Sequence, residues 1–325
     1  MAHSPLLLVA GGQLDPNIGR LLARALHKRV PFRALLVGPE LQPRLEIDLD
    51  RGTFRLDDEV IRPSACFIRH DVFLTDRTRS AVASSATLNW FHAVKGWALA
   101  DPSVRLFNRR DAADASKVRN LVEARIAGLS IPPTWIGNDF GSSAIEGYGE
   151  AIHKPVAGGE LTRLCTASVR KRLRTAGLAA YPRFVQPRMS RPELRVFRIG
   201  STMIAFSLES SDLDYRRRHR VRLEEVSVPS AIANRLVRLC DRIGLDFAAA
   251  DFMRDPTSGE LVFLEVNSQP MFAAFDLVAG GRLCDAILDG LLFARNRTSR
   301  VTPVVARRTR RNRHATSARV AQDSN

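Results

Sequence analysis

The stretch DFMRDPTSGELVFLEVNSQP, Asp251 to Pro270, reads as two apolar strands around a turn, yet it carries Asp251, Glu265 and Asn267 where apolar residues would serve a sheet better. Side chains alternate along a strand, so Glu265 and Asn267 share one face, while Val262, Leu264 and Val266 are expected on the other. A turn over Pro256 to Glu260 sets Asp251 opposite Glu265 and Phe252 on the core face. Two adjacent carboxylates repel unless a cation compensates them. Hard oxygen donors in so small a number suit Mg²⁺, with Mn²⁺ able to substitute, when phosphate oxygens complete the shell. A solvated strand face is the plainer alternative.

Working outward, FVQP (Phe184–Pro187) is a short strand and PELRVFRIGSTMIAFSLES a β-hairpin turning at Gly200-Ser201, followed by an amphipathic helix in SAIANRLVRLCDRIG. Upstream, DAADASKVRNLVEARIAGLSIPPT predicts a helix stopped by Gly128 and the Pro132-Pro133 pair, and AIHKPVAGG a strand. Lys154 sits within that apolar strand, a costly place for an ammonium unless an anion meets it. Gly158 and Gly159 either make a turn or offer backbone N–H groups to phosphate. Lys117 alone reads as helix surface charge.

The N-terminal PLLLVAGGQLDPNIGRLLARALHKR is strand, tight turn and helix. Lacking the third glycine of GxGxxG, it does not predict a dinucleotide site. Further strands in LEIDLDRGTFRLDD and ACFIRHDVFL and a helix in TRSAVASSATLNWFHAVKGWALA complete a first α/β unit, closing near Asn108. Arg69 and His70 either line a cleft or pack in the core or rim, and His153 and His219 show no triad or metal spacing.

Composition bounds the partners. Among 325 residues the net charge is +15, but only five of the 49 basic residues are Lys, a skew that a GC-rich coding sequence could produce. The stretch from Arg295 to Asn325 supplies +8 of that charge, lacks periodicity and is expected to be disordered. No nucleic-acid motif accompanies it, so nucleic acid is not the expected partner. No run of about 18 apolar residues predicts a membrane span. The short apolar start lacks a basic flank, and the four cysteines show no CxxC spacing, so a cytosolic protein is expected.

An Asp-bearing strand followed by FLEVN resembles the carboxyl-terminal half of ATP-grasp carboxylate–amine ligases. SKVRNLVEARIAGLSIPPT around Lys117 and HKPVAGG around Lys154 are similar to the two nucleotide-lysine segments of that superfamily, and FVQP to its adenine hinge. Within it, ELRVFRIGSTMIAFSLES, DLDYRR and IGLDFAAADF follow one another as in the graspetide (microviridin-type) peptide maturases, with ribosomal-protein glutamate ligase-like enzymes as further relatives. The resemblance covers roughly residues 109 to 293. It implies an α+β ATP-grasp fold preceded by an α/β pre-ATP-grasp domain: residues 1–108, a lid or central subdomain 109–189, a carboxyl-terminal subdomain 190–294 and the tail 295–325.

The resemblance further implies ATP contacts from Lys117, Lys154, Gly158, Gly159, Gln186 and Pro187, metal ligands Asp251, Glu265 and Asn267, and catalytic arginines Arg195 and Arg216. Glu193 and Asp214 would orient those arginines, while Arg217, Arg218 and Arg220 read as solvated. The implied activity activates a carboxylate as an acyl phosphate and joins it to an amine or hydroxyl, on a precursor peptide or on another carboxylate such as a free amino acid. A silent nucleotide- or nucleic-acid-binding protein is the third class, and a homodimer is left open. Three departures stand out: the glycine loop VAGGELTR is short, Pro187 follows Gln186 where an acid is common, and SQPMF follows EVN.

Overall fold

The computed structural model describes residues 5–73, 81–110, 117–140, 143–157, 161–175, 177–211, 213 and 221–293. Gly158, Gly159, Asp214, Arg216, Arg217, Arg218, His219, Arg220 and the basic stretch 295–325 lie outside them. The chain begins with strand β1 (Leu7–Gly12) and helix α1 (Pro16–His27). The tight turn between them has a local cause: the Asp15 side chain accepts the Asn17 backbone N–H, and Pro16 opens the helix where its missing donor costs nothing.

Strand β2 (Phe32–Val37), the small strands β3 (Leu45–Asp48), β4 (Thr53–Leu56) and β5 (Glu59–Ile61), then β6 (Ala65–Ile68), helix α2 (Ala81–Ala100) and β7 (Arg105–Leu106) complete the first third. A parallel sheet in the order β2-β1-β6-β7 is the result, with β3-β4-β5 as a separate antiparallel sheet.

Helix α3 (Lys117–Ile126), strands β8 (Trp135–Gly137), β9 (Ala151–Pro155) and β10 (Arg163–Leu164), helix α4 (Ala167–Thr175) and strand β11 (Arg183–Pro187) follow. Their strands form a sheet in the order β10-β9-β11-β8. The remainder comprises β12 (Ser190–Ile199), β13 (Thr202–Glu209), β14 (Arg222–Val226), α5 (Ser230–Ile243), β15 (Phe247–Arg254), β16 (Leu261–Asn267), α6 (Ala273–Val278) and α7 (Arg282–Leu292). Here the antiparallel order is β14-β13-β12-β15-β16. The predicted hairpin turns at Gly200, whose φ of 58° lies in the left-handed region.

Both faces of this five-stranded sheet are covered. On one, Val196, Ala250, Phe252 and Phe263 pack against α3 and α5 through Leu121, Leu236 and Leu239. On the other, Phe197, Phe206 and Phe247 meet Phe275 and Leu283 of the final helices, together with Val9, Leu21 and Phe67 of the N-terminal sheet and helix. That single cluster makes one core from the two ends of the chain, and each fully buried Phe in it contributes about 1.5–3 kcal/mol. Asn108 stitches the same seam, its side chain donating to Phe247 O and Ser268 O and accepting from the backbone N–H groups of Asp246 and Phe247 at 2.7–2.9 Å. Among the described residues, no helix is long and apolar enough to cross a membrane.

Candidate active site

The second face of the sheet changes character along β12. Phe197 and Ile199 are core, whereas Arg195 and Glu193, on the same side of the strand, reach a cleft of about 600 Å³. That volume suits a nucleotide-sized ligand. The hairpin supplies its floor. Asp251 pairs with Glu265 across β15 and β16 in the expected register, and Asn267 lies two residues on. Carboxylates on neighbouring strands are thereby held side by side, next to the apolar core that fixes their backbones.

The alternation expected for β16 does not hold throughout. Asp251 faces Glu265 but Phe252 faces Phe263, so Leu264 is an extra, bulged residue. Phe263 packs edge-on against Phe252 in the core, while Leu264 lines the cleft beside Glu265. Val266 lies in the core as expected; Val262 is buried too, although its partner across the strands, Met253, lines the cleft. A bulge adds one residue to one strand, which simple parity cannot anticipate.

Each carboxylate has a cation. Arg195 sits opposite Asp251 on β12 and grips it with two bonds, Nε to Oδ1 at 2.6 Å and Nη2 to Oδ2 at 2.8 Å. This fork-to-carboxylate match is the strong form of ion pair. Burial pushes the Asp251 carboxyl above its ordinary value although Arg195 pulls the other way. Lys117 Nζ donates to Glu265 Oε2 at 2.9 Å. Burial works against the Glu265 carboxylate, but Lys117, Lys154 and Arg195 outweigh it and hold the group at about 2. Glu193, 3.9 Å from Arg195, behaves oppositely: burial and then Asp251 push it up to about 7.

The donor set fits a hard divalent cation. It consists of two carboxylates and the Asn267 amide; among the described residues no group of three His, Cys, Asp or Glu could hold a metal by itself. A shell built here is incomplete without oxygens from a ligand, the usual situation of Mg²⁺ on a phosphate.

The opposite wall comes from β9 and β11. Lys154 and Phe184 are register partners, with the Lys154 ammonium 5.7 Å from the ring centroid. Lys154, Gln186 and Pro187 all line the cleft, and the buried Gln186 amide donates to Thr134 Oγ1 at 3.0 Å. The structure thus brings Lys117, Lys154, Gln186 and Pro187 into one cavity with Arg195, Asp251, Glu265 and Asn267. Arg69 and His70 take the packing alternative. Arg69 is 3% exposed and bonds Asp15, and the His70 ring stands against Thr87 and Phe91.

Sequence reasoning missed Asn17, Leu264, Gln269 and Met271 among the lining residues. The Pro-containing SQP segment right after EVN is the one available signal for the last two.

No protein-family model matches the sequence, and no curated protein matches it. Solved structures do. The ATP-grasp ligase PsnB, complexed with minimal precursor, Mg and ADP, superposes with a TM-score of 0.69 at 23% identity, over 88% of this chain and 97% of that one. The macrocyclase MdnC from Microcystis aeruginosa, bound with precursor peptide MdnA, gives 0.67 at 17% identity, covering 89% and 100%. D-alanine–D-alanine ligase from Bacillus anthracis, complexed with ATP, gives 0.54 at 12% identity, covering 89% and 96%. The chain therefore has the α+β ATP-grasp fold, with a parallel N-terminal sheet ahead of antiparallel sheets.

Proposed function

We propose that this protein is an ATP-dependent ligase that activates a carboxylate as an acyl phosphate and joins it to an amine or hydroxyl. The observation that carries this reading is the Asp251–Glu265 register pair, faced in one cleft by Lys117, Lys154 and Arg195. Phosphoryl transfer needs little covalent chemistry from a protein; it needs positioning and charge neutralisation, and these residue types supply both.

In this reading Lys154 and Lys117 bind the nucleotide phosphates, and Gln186 with Pro187 borders the adenine. Gly158 and Gly159 would add backbone donors to the phosphates. Asp251, Glu265 and Asn267 would hold Mg²⁺, which when bound screens phosphate charge. Arg195 keeps Asp251 oriented and, with Arg216, offers its guanidinium to the developing charge. A substrate carboxylate oxygen attacks the γ-phosphorus and ADP departs. An amine or hydroxyl then attacks the acyl carbon, loses its proton, and phosphate leaves.

Two of the similar structures hold precursor peptides, which supports a ribosomally made peptide as the substrate and macrocyclisation as the outcome. The runner-up, joining of free amino acids or their addition to another carboxylate, draws support from the likeness to D-alanine–D-alanine ligase. Mass spectrometry decides between them. Co-expression with an acidic peptide encoded beside the gene should give loss of one water per bond, with one ADP released for each. A mass gain on an acceptor supplied with free amino acids would select the runner-up, and neither change with nucleotide still bound would overturn the peptide reading and point to a different carboxylate substrate.

A further inference from the structure

The segment leaving β16 is held, residue by residue, by the first 108 residues of the chain. Ser268 O accepts from Asn108 Nδ2 at 2.9 Å, Gln269 Oε1 from the His70 backbone N–H at 3.0 Å, and Pro270 O from Arg69 Nη1 at 2.9 Å. Met271 Sδ accepts from Asn17 Nδ2 at 3.1 Å, and the backbone N–H groups of Phe272 and Ala273 both donate to Asn17 Oδ1, at 2.6 and 2.8 Å.

Helix α6 spans only six residues and its own N-cap, Phe272, makes no side-chain capping bond. Asn17, from the opposite end of the chain, provides the cap. Its amide is fixed in turn. Asp15 Oδ1 accepts Asn17 Nδ2 at 2.7 Å and Asp15 Oδ2 accepts Arg69 Nε at 2.7 Å, and all three side chains are at most 3% exposed. A buried network so well satisfied has one arrangement. Gln269, Pro270 and Met271 line the cleft directly beyond Asn267.

We infer that Asn17 is a positioning residue that sets how far the Gln269–Met271 segment reaches into the cleft, and that this segment is the wall met by the carboxylate substrate rather than by the nucleotide. The inference rests on the ligase reading for the identity of that substrate. Lys117, Lys154 and Gln186, the residues assigned to the nucleotide, lie outside the network, so the two functions are separable by mutation.

The test is Asn17→Ala, read first by hydrogen exchange and by binding of a fluorescent ADP analogue with Mg²⁺. We expect exchange at Phe272 and Ala273 to rise about 10-fold, with β1 and β12 amides and ADP affinity unchanged. With the peptide identified by mass loss, KM should rise about 10-fold while kcat changes less. Unchanged exchange at Phe272 and Ala273, or faster exchange spread equally through β1, would overturn the inference, as would a kcat loss with KM intact. If Asn17→Ala does not fold, exchange in the unmodified protein decides: Phe272 and Ala273 should open together with the α1 amides, and rapid independent exchange there would sink the idea. Failure of the ligase reading would leave these exchange results standing while no peptide lost water.

Discussion

Lys117 and Glu265, 148 residues apart in sequence, meet at 2.9 Å, so an ammonium stands where a divalent cation would bind Glu265. Lys117→Met should therefore raise Mn²⁺ affinity in nucleotide-free protein, by about 10-fold for a pair roughly one-third exposed. Nucleotide affinity should fall in the same variant. Mn²⁺ titration followed by electron paramagnetic resonance checks the first effect, and an unchanged or weaker Mn²⁺ affinity would refute the competition.

The two carboxylates should respond differently to mutation. Glu265→Gln keeps its size and leaves Lys117 partly solvated, so it should lose only the stability that the ionised group supplies above pH 4.5, while Mg²⁺-dependent ADP release falls about 10²–10³-fold. Asp251→Ala removes the carboxylate that holds the buried Arg195 fork by two bonds, which costs about 3–5 kcal/mol of stability besides any loss of activity. Urea denaturation of both variants alongside turnover separates the cases.

Asn108 has φ 55°, a left-handed conformation, and its side chain makes four hydrogen bonds, to Asp246, Phe247 and Ser268. Asn108→Gly removes the bonds without backbone strain and should cost about 2–4 kcal/mol. Asn108→Ala should be worse by about 1 kcal/mol because of its Cβ. Equal stabilities of the two variants in urea would refute the strain argument.

Much of this is legible in the order of the amino acids. The hairpin, the Asp251–Glu265 register, the Gly200 turn and the Asp15–Pro16 helix start follow from local rules, because each involves residues close in sequence or paired across one turn. The bulge at Leu264 does not, since VFLEVN fits two parities and tertiary packing of Phe263 on Phe252 selects one. The Asn17 cap and the Arg69 contacts to Pro270 and Met271 join segments more than 200 residues apart, and no spacing rule reaches that far.

Acidity gives a further prediction for metal-free protein. Glu193 has a folded value of about 7, above its ordinary 4.5, so between those values the folded state keeps a proton that the unfolded state has lost. Its contribution to stability should decline as pH rises from 4.5 to about 7 and then level off. Glu265, held at about 2, contributes stability above pH 4.5 that is lost as pH falls toward 2. Thermal melts in EDTA should show Glu193→Gln flattening the upper window only. A variant that keeps the decline between pH 4.5 and 7 would locate its origin elsewhere.

The extra residue in β16 separates two properties that a regular strand would tie together. Because Phe263 and Glu265 already face Phe252 and Asp251, a chain lacking Leu264 could run straight through with its core and its acid pair in place. What such a chain would lose is the leucine beside Glu265. A one-residue deletion here thus edits the greasiness of the floor while leaving the carboxylates in register, giving an evolving lineage, or an engineer, a handle on the cleft lining that does not disturb the acid pair proposed to hold a metal.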